Sequence, residues 1–358
     1  MLKGSRMSEK LKKLQEGEYL IAPDMTPNEI LGVLTSGDVV KYKVTIPEGK
    51  TVADIMKIVH DTELMDKNSL AIEINNPDKS LMYELGIFSN SFEGFLFPST
   101  YYFTKPITAR GIITTMVNEA KKRFLTEENK ARMNEIGMTF EQLLTLASII
   151  EKEAGSKEEM PIISSVFHNR LRLKMALYSD PTVIYGIHGT ISSNFKLTKE
   201  DLKRYTSYNT YINKGLPPGP IANPGEAAFN AALRPVDTKY LYFVARGDGS
   251  GLHKFSENYE KHRVAVGEYR SNQAEQAKEQ AREEAIAEIE AEEKKKQQEQ
   301  EIDLNRFKAP EKPKPVAPPK KININKQPLI SPIAPSLKDQ RVETEEDRQK
   351  KMLNQILN

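Results

Sequence analysis

The sequence predicts an α+β protein in which amphipathic helices and short strands alternate, followed by a helical and proline-rich carboxyl-terminal tail. Three observations predict this class. Residues 139–155 carry the signals that begin and end a helix, with apolar residues at helical spacing between them. Residues 42–46 alternate like a strand, and 240–255 contain two strand-like runs around a glycine-rich turn, as a hairpin does. From residue 271 onward, the composition changes to Ala, Glu, Lys, Gln and Arg.

The central predicted helix begins at Thr139, a good N-cap residue, and Gln142 three positions later completes a capping box. Gly155 stands where a helix commonly ends in the left-handed conformation, so we expect it to terminate the helix. Apolar residues recur at helical spacing between these ends, at positions 140, 143, 144, 147 and 150. One face of the helix is therefore expected to be buried.

Glu151 lies on the apolar side of this helix. At about 100° per residue it falls in line with Phe140, Leu144 and Ala147. Burial disfavours a carboxylate anion and raises its pKa, which makes Glu151 a candidate proton donor near neutral pH. A solvated charged turn is the ordinary explanation for two acids at a helix end. Glu153 is also flanked by apolar residues, so the spacing leaves open which acid is the donor.

Residues 19–60 predict a small β-α-β-α piece. Its strands are expected at 19–22 and 42–46, and its helices are expected after the N-cap residues Thr26 and Thr51. A piece of this size buries too little apolar area to be stable alone. It is therefore either a fragment of a module or docks on the residues that follow it.

Residues 92–103 contain six aromatic side chains in twelve positions. Core packing is the ordinary explanation for this density. Sugar rings also stack on aromatic faces, so a wall of a glycan-binding groove is the alternative. A further helix is predicted through Met116, Ala120 and Phe124, before the helix at 139–155.

In the second half of the chain, loops rich in polar and aromatic residues separate short helices. A helix is predicted at 161–173, and Asp180 is expected to cap the helix that follows Pro181. Residues 215–220 contain three prolines and two glycines, which excludes regular structure there. A rigid loop of this kind is suited to hold binding residues. Residues 223–226 are expected to begin another helix.

The ends of the chain differ from its middle. Residues 271–308 contain charge pairs at four-residue spacing without a continuous apolar seam, which indicates a solvated helix rather than a coiled coil. Residues 309–358 are expected to be disordered, since eight prolines lie between 309 and 336. A solvated spacer is favoured over a partner-binding segment. Residues 1–18 are polar and basic and are expected to be flexible.

Composition and motifs argue against several classes of function. The absence of cysteine excludes disulfides, thiolate metal sites and cysteine nucleophiles. A net charge of +2 without a Lys/Arg stripe argues against nucleic-acid binding. The five histidines lack metal-ligand spacing, and the sequence has no nucleophile elbow or phosphate loop. Its longest apolar runs, about eight residues, are shorter than the roughly 20 of a membrane-spanning helix, and no signal peptide is recognisable. The remaining acid, aromatic residues and polar loops are typical of a glycan cleft.

Six segments give the chain a resemblance to a known family. They are LASIIEKE at 146–153, VFHNRL at 166–171, SDPTVIYG at 179–186, YNTY at 208–211, GLPPGPIANPG at 215–225 and YLYFV at 240–244. In this order they resemble the endolytic murein transglycosylase family, the membrane-anchored lytic transglycosylases of bacterial cell-wall growth. Two positions depart from the family pattern. Tyr178 stands where Gln is usual, which is expected to alter a glycan contact, and His168 stands where an apolar residue is usual.

The resemblance implies a reaction and a choice between the two acids. The family's essential glutamate falls on Glu151, the first acid of Glu-Lys-Glu. The implied reaction cleaves the β-1,4 bond from N-acetylmuramic acid to N-acetylglucosamine within peptidoglycan strands and leaves a 1,6-anhydro-muramic acid end. Because the sugar's own C6 hydroxyl is the nucleophile, one acid/base is enough. The resemblance also implies a role in ending the elongation of nascent strands.

The resemblance further implies site residues, partners and a location. The expected substrate contacts are Tyr208, Asn209, Tyr211, Asp180 and Asn169, with neither a cofactor nor a metal. The expected partners are peptidoglycan glycan strands and cell-wall synthases, without nucleic acid. The implied location is the periplasmic face of the bacterial inner membrane, through an anchor that the chain as written is expected to lack. A lysozyme-like hydrolase and a non-catalytic peptidoglycan-binding or scaffold protein are the two alternatives.

Composition and resemblance together divide the chain into five predicted segments. These are a flexible amino terminus at 1–18, a truncated LysM-like module with its connector at 19–80, a catalytic transglycosylase domain at 81–270, a charged helical extension at 271–308 and a proline-rich tail at 309–358. The module matches only the latter part of the family's LysM-like module.

Overall fold

The computed structural model describes Leu14, residues 16–192 and residues 194–306. Its helices are α1 (Pro27–Ser36), α2 (Val52–Asp61), α3 (Lys67–Asn75), α4 (Lys79–Glu84), α5 (Ala109–Phe124), α6 (Glu127–Ile136), α7 (Phe140–Glu153), α8 (Met160–Arg172), α9 (Asp180–His188), α10 (Glu226–Leu233) and α11 (Tyr259–Arg306). Its strands are β1 (Tyr42–Thr45), β2 (Thr100–Phe103), β3 (Tyr242–Ala245) and β4 (His253–Ser256). The predicted tail at 309–358 and residues 1–13 of the predicted flexible terminus lie outside the described residues.

The described residues up to Ile289 belong to one compact unit, and Glu290–Arg306 belong to a second. The first unit combines its helices with small antiparallel sheets, so the predicted α+β class is confirmed. In residues 16–192 and 194–306, no helix has both the length and the hydrophobicity required to cross a membrane.

The amino-terminal piece docks on the residues that follow it. Strand β1 pairs antiparallel with β2, with Tyr42 opposite Phe103. Val44 and Ile55, from β1 and α2, are buried in the same core cluster as Phe92. The shared sheet and core therefore supply the apolar burial that so small a piece lacks by itself.

The aromatic run at 92–103 lies in this core, as its ordinary explanation predicts. Five of its six rings are buried, and Tyr102 is 63% exposed. Around them Phe124 stacks on Phe229 with ring centroids 4.1 Å apart, and Phe140 meets Phe229 edge-on. Because five of the six rings at 92–103 are buried, this run does not form an aromatic wall on which a sugar could stack.

Helix α7 lies in the middle of the core. Its predicted capping box is confirmed, since the Thr139 hydroxyl accepts the N–H of Gln142 and the Gln142 side chain accepts the N–H of Thr139. The residues from Leu143 to Ile150 are all buried, with α8, α9 and α10 packed against the helix. The last turn leaves the core, which places Glu151 between the apolar interior and the surface.

Gly155 does not end α7 in the left-handed conformation, so that prediction is wrong. Ala154 ends the helix with extended backbone angles, φ −75° and ψ 128°. A Cβ on Gly155 would lie 1.8 Å from the carbonyl oxygen of Gly251 in the turn between β3 and β4. The glycine is therefore required by a close backbone approach rather than by a positive φ.

Two other predicted elements differ from the structure, whereas the hairpin is confirmed. Residues 19–22 form no strand, and Leu20 is 82% exposed, because this segment pairs with none of the described strands. Asp180 is the first residue of α9 rather than its cap, and Ser179 precedes it. Strands β3 and β4 pair antiparallel, with Tyr242 opposite Ser256.

Candidate active site

The Glu151 carboxylate meets the start of another helix. Its Oε2 accepts a hydrogen bond of 3.0 Å from the backbone N–H of Gly225. Gly225 is the residue that precedes α10, so its N–H belongs to the positive end of that helix. This contact fixes one carboxylate oxygen and leaves the partly exposed side chain accessible from the surface.

Burial raises the pKa of Glu151 above its ordinary value. The Gly225 N–H and the charges of Lys157 and Lys152 oppose this rise, whereas the negative charge of Glu48 adds to it. The protonated form is therefore more populated near neutral pH than in an exposed glutamate. This is the state required of a group that first donates a proton.

The loop between β1 and α2 covers Glu151. Gly49 has φ +71°, and a Cβ there would lie 3.2 Å from Cγ of Glu151. The N–H of Gly49 donates to the carbonyl oxygen of Asn223 at 2.9 Å, and Lys152 Nζ donates to the carbonyl oxygen of Gly49 at 3.3 Å. The amino-terminal piece thus contributes directly to the surroundings of the candidate acid.

Glu48, in the same loop, approaches the residue that binds Glu151. A Cβ on Gly225 would lie 2.2 Å from Glu48 Oε1, so this carboxylate lies against the Gly225 backbone. Its other oxygen forms an ion pair of 2.6 Å with Lys157. Both Glu48 and Glu151 therefore converge on Gly225 from different parts of the chain.

Glu93 is a buried acid that connects this loop to the core. Its carboxylate accepts hydrogen bonds from the N–H of Val52 at 3.1 Å, from Asn223 Nδ2 at 3.0 Å and from the Tyr185 hydroxyl at 3.2 Å. Burial raises its pKa to about 8, although the hydrogen bonds from Val52 and Tyr185 oppose the rise. Asn223 in turn accepts the N–H of Leu96 on Oδ1. The network holds the loop 223–225 in place.

Glu153 faces a different environment from Glu151, because side chains two residues apart on a helix point in directions that differ by about 200°. Its carboxylate accepts the hydroxyl of Ser179 at 2.6 Å. Burial raises the pKa of Glu153 to about 7; nearby Asp180 adds to the rise, and the Ser179 hydrogen bond and Arg170 oppose it. Glu153 lines a cavity of about 650 Å³.

The same cavity contains two of the predicted substrate contacts, Asp180 and Tyr211. The Tyr211 hydroxyl donates to Asp180 Oδ1 at 2.6 Å. Tyr178 meets Tyr211 edge-on, with ring centroids 5.2 Å apart. Tyr242 also lines the cavity. The cavity therefore offers both aromatic faces and polar groups. Tyr208 lies elsewhere, against the Glu93 partner Tyr185 with ring centroids 5.0 Å apart.

Within the described residues, no group of three or more His, Asp or Glu side chains is arranged to hold a metal ion. His253, on β4, has its Nδ1 2.9 Å from Glu159 Oε2, and its backbone N–H donates to the same carboxylate. This pairing joins the β3–β4 hairpin to the start of α8.

A model of the YceG-like family matches residues 2–268 of this sequence. The chain belongs to the YceG-like family. Two relatives are named endolytic murein transglycosylase. That of Bacillus subtilis (strain 168) is 33% identical over an alignment of 279 residues, and the match covers 73% of this chain and 74% of the relative. That of Streptococcus pneumoniae serotype 2 is 28% identical over an alignment of 290 residues, and the match covers 72% of this chain and 51% of the relative.

A crystal structure of a yceG-like protein from Listeria monocytogenes resembles the YceG-like chain described here, with a TM-score of 0.57 and 31% identity. The match covers 73% of this chain and 87% of that one. The chain spans about half the length of the streptococcal relative it matches. The family inferred from the six sequence segments is therefore confirmed.

Two predicted substrate contacts of this YceG-like chain have no free amide in the structure. Asn209 is fully buried and donates from Nδ2 to the carbonyl oxygens of Leu202 and Arg204. Asn169 is also buried, donates to the carbonyl oxygens of Thr238 and Tyr240, and accepts Arg172 on Oδ1. In the structure, the amide groups of both residues therefore bind neighbouring loops.

Two acids that contact the loop at 223–225 were not among the predicted site residues. Glu93 had a sequence signal, since it is the acid inside the aromatic run at 92–103 and a charge there needs a buried partner. Glu48 had none, because Pro-Glu-Gly is an ordinary turn sequence. Only the docking of the amino-terminal piece brings it to Gly225.

Proposed function

We propose that this chain is a lytic transglycosylase that cleaves the β-1,4 bond from N-acetylmuramic acid to N-acetylglucosamine inside peptidoglycan strands. The observation that carries the proposal is Glu151, a partly exposed carboxyl whose burial raises its pKa and whose Oε2 is bound by the Gly225 N–H. The names of the bacillar and streptococcal relatives support the same substrate.

In the proposed reaction Glu151 donates its proton to the glycosidic oxygen as the bond from that oxygen to C1 of the muramic residue breaks. The C6 hydroxyl of the same residue then attacks C1 and returns its proton to Glu151. The product ends in 1,6-anhydro-muramic acid, no water is consumed and the acid is regenerated. An intramolecular nucleophile has a high effective concentration, so a second carboxylate is not required to activate water.

The hydrogen bond to Gly225 suits both halves of this cycle. It occupies Oε2, which leaves Oε1 to carry the proton. After donation, the N–H at the start of α10 stabilises the carboxylate. Burial favours the protonated form of Glu151 and the N–H favours the anion, so each effect supports one of the two states through which the acid passes.

For the sugars, we propose contacts with Tyr208, Tyr211 and Asp180. The pair formed by Tyr211 and Asp180 lines a cavity of about 650 Å³ together with other tyrosines, and tyrosine faces and hydroxyls are suited to sugar rings. Asn169 and Asn209 act indirectly, since they hold the loops that carry these side chains.

Family resemblance is the support for a wider setting. We propose peptidoglycan strands as the substrate in the cell, cell-wall synthases as partners, and a location at the periplasmic face of the inner membrane. The resulting anhydro ends would stop the elongation of nascent strands.

The test is a digest of purified peptidoglycan with the full chain, followed by mass spectrometry of the released glycans. The expected product has anhydro-muramic ends, and Glu151→Gln lowers its rate of formation by about 100-fold or more. Glu153→Gln is the matched control, with a much smaller loss because Glu153 faces Ser179. Reducing muramic ends would instead indicate a hydrolase, and binding without turnover would indicate a non-catalytic peptidoglycan-binding protein. An undiminished rate in Glu151→Gln would contradict the proposed role of this acid.

A further inference from the structure

The surroundings of Glu151 include a second acid from a distant part of the chain. Glu48 lies in the loop between β1 and α2, and its Oε1 is so close to the Gly225 backbone that a Cβ there would lie 2.2 Å away. Gly225 binds Glu151 through its N–H at 3.0 Å. Two carboxylates thus approach one glycine, which has no side chain to separate them.

Glu48 is exposed to solvent, and an ion pair and its loop hold its carboxylate in this position. Its Oε2 forms an ion pair of 2.6 Å with Lys157, in the 3₁₀ turn Lys157–Glu159 that follows α7. The next residue, Gly49, is fixed by its N–H bond to the carbonyl oxygen of Asn223. The loop and the ion pair together hold the Glu48 carboxylate against the Gly225 backbone.

We propose that Glu48 is a positioning residue for Glu151: it keeps a second negative charge beside the acid, and Lys157 sets how strong that charge is. The proposed role in the reaction rests on the function proposed above. It gives the docked amino-terminal piece a role in catalysis, because the loop that carries Glu48 brings to the acid a negative charge that opposes the charges of Lys157 and Lys152.

The charged groups around Glu151 make the direction of this effect definite. Glu48 favours the protonated form of Glu151, whereas Lys157 and Lys152 favour the anion. Lys50 and Asp54, from the same loop and from α2, act on Lys152 with opposite signs. A proton donor must begin protonated, so a fixed negative charge beside it supports the first step of the reaction.

The test compares charge-neutral variants of the full chain in two measurements. Titration of the Glu151 carboxyl carbon in ¹³C-glutamate-labelled protein, assigned by its absence in Glu151→Gln, reads the pKa without requiring turnover. The pH profile of kcat/KM on peptidoglycan reads the same ionisation in the reaction, through its alkaline limb.

Opposite shifts are expected from the two members of the ion pair. Glu48→Gln lowers the pKa of Glu151 and moves the alkaline limb to lower pH. Lys157→Met raises the pKa of Glu151 and moves that limb to higher pH. The double variant lies between them, close to the wild type. The matched control is the exposed ion pair of Glu127 and Lys130, which are 2.8 Å apart, where Glu127→Gln and Lys130→Met leave Glu151 unchanged.

A second variant tests the geometry without removing a charge. Gly225 has φ −78°, which alanine adopts without strain, but the added methyl must displace the Glu48 carboxylate. Gly225→Ala is therefore expected to change the pKa of Glu151 when Glu48 is present and to have little effect in a Glu48→Ala background.

The two proposals fail in different ways. If Glu48→Gln and Lys157→Met shift the pKa of Glu151 in the same direction, or if neither variant shifts it, the proposed role of Glu48 is overturned. This holds even where the wild type forms anhydro product. If the titration shifts as expected but the wild type forms no anhydro product, the charge coupling stands and the proposed transglycosylase activity fails.

Discussion

Asn223 Nδ2 donates a hydrogen bond of 3.0 Å to the buried carboxylate of Glu93, although 130 residues separate the two in sequence. Asn223 also donates to the carbonyl oxygen of Lys50 and accepts the N–H of Leu96. One side chain therefore ties together the amino-terminal piece, the aromatic core segment and the loop that leads to Gly225. The position of the candidate acid depends on this junction.

Removing Glu93 is expected to destabilise the chain more than removing one of its partners. Glu93→Ala leaves buried donors on Val52, Asn223 and Tyr185 without an acceptor, which lowers the free energy of unfolding by about 3 kcal/mol or more. Tyr185→Phe removes a single hydroxyl and costs about 1 kcal/mol. Urea denaturation measures both. An equal or smaller cost for Glu93→Ala would show that the network contributes little to stability.

Glu153 is expected to make stability depend on pH. Its pKa is raised in the folded chain from 4.5 to about 7, so the folded state binds the proton more tightly than the unfolded state. This contribution is complete below about pH 4.5 and is lost as the pH rises through about 7, which removes at most about 3 kcal/mol. Denaturation at several pH values is the measurement. Glu153→Gln should show a flatter profile than the wild type.

The control for this measurement is Glu135→Gln, because Glu135 is exposed and lies on α6. Its profile should follow that of the wild type. If Glu153→Gln also follows the wild type between about pH 4.5 and 7, then the Ser179 hydrogen bond and Arg170 balance the burial of Glu153, and the inferred rise in its pKa is wrong.

Two glycine-to-alanine changes are expected to have opposite effects on stability. Gly155→Ala places a methyl group 1.8 Å from the carbonyl oxygen of Gly251, so the backbone must move and the chain is destabilised. Gly267→Ala in α11 meets nothing within 4 Å and removes a poor helix former, which stabilises by up to about 1 kcal/mol. Thermal unfolding of the two variants checks the order, and a stable Gly155→Ala would contradict the close approach.

Local signals in the sequence determined much of the secondary structure. The capping boxes at Thr26, Thr51 and Thr139 all involve residues three positions apart, so they are visible without any knowledge of the fold. The hairpin of β3 and β4 is likewise short-range. The prediction of a strand at 19–22 was wrong because a strand needs a pairing partner, and apolar residues alone do not supply one.

The site residues, too, include some that local sequence signals indicate and some whose contacts depend on distant parts of the chain. The sequence indicated Glu151 by its place in an apolar stripe, and family resemblance selected it over Glu153. It could not indicate that the amides of Asn169 and Asn209 bind loop carbonyls, because those contacts depend on how distant loops meet. Nor could it indicate which of the tyrosines share a cavity.

Local patterns in the sequence were enough to predict most helix starts, the apolar faces, the family and the candidate acid. The folded chain was needed to show that Glu48 reaches Gly225, that Glu93 joins three segments, and that Gly155 allows a close approach to Gly251. The difference lies in the distance along the chain over which each interaction acts. Capping and periodicity act over a few residues, whereas the Gly225 N–H, the Glu48 charge and the Gly49 contact reach Glu151 from segments more than fifty residues away, brought together by burial of the shared core.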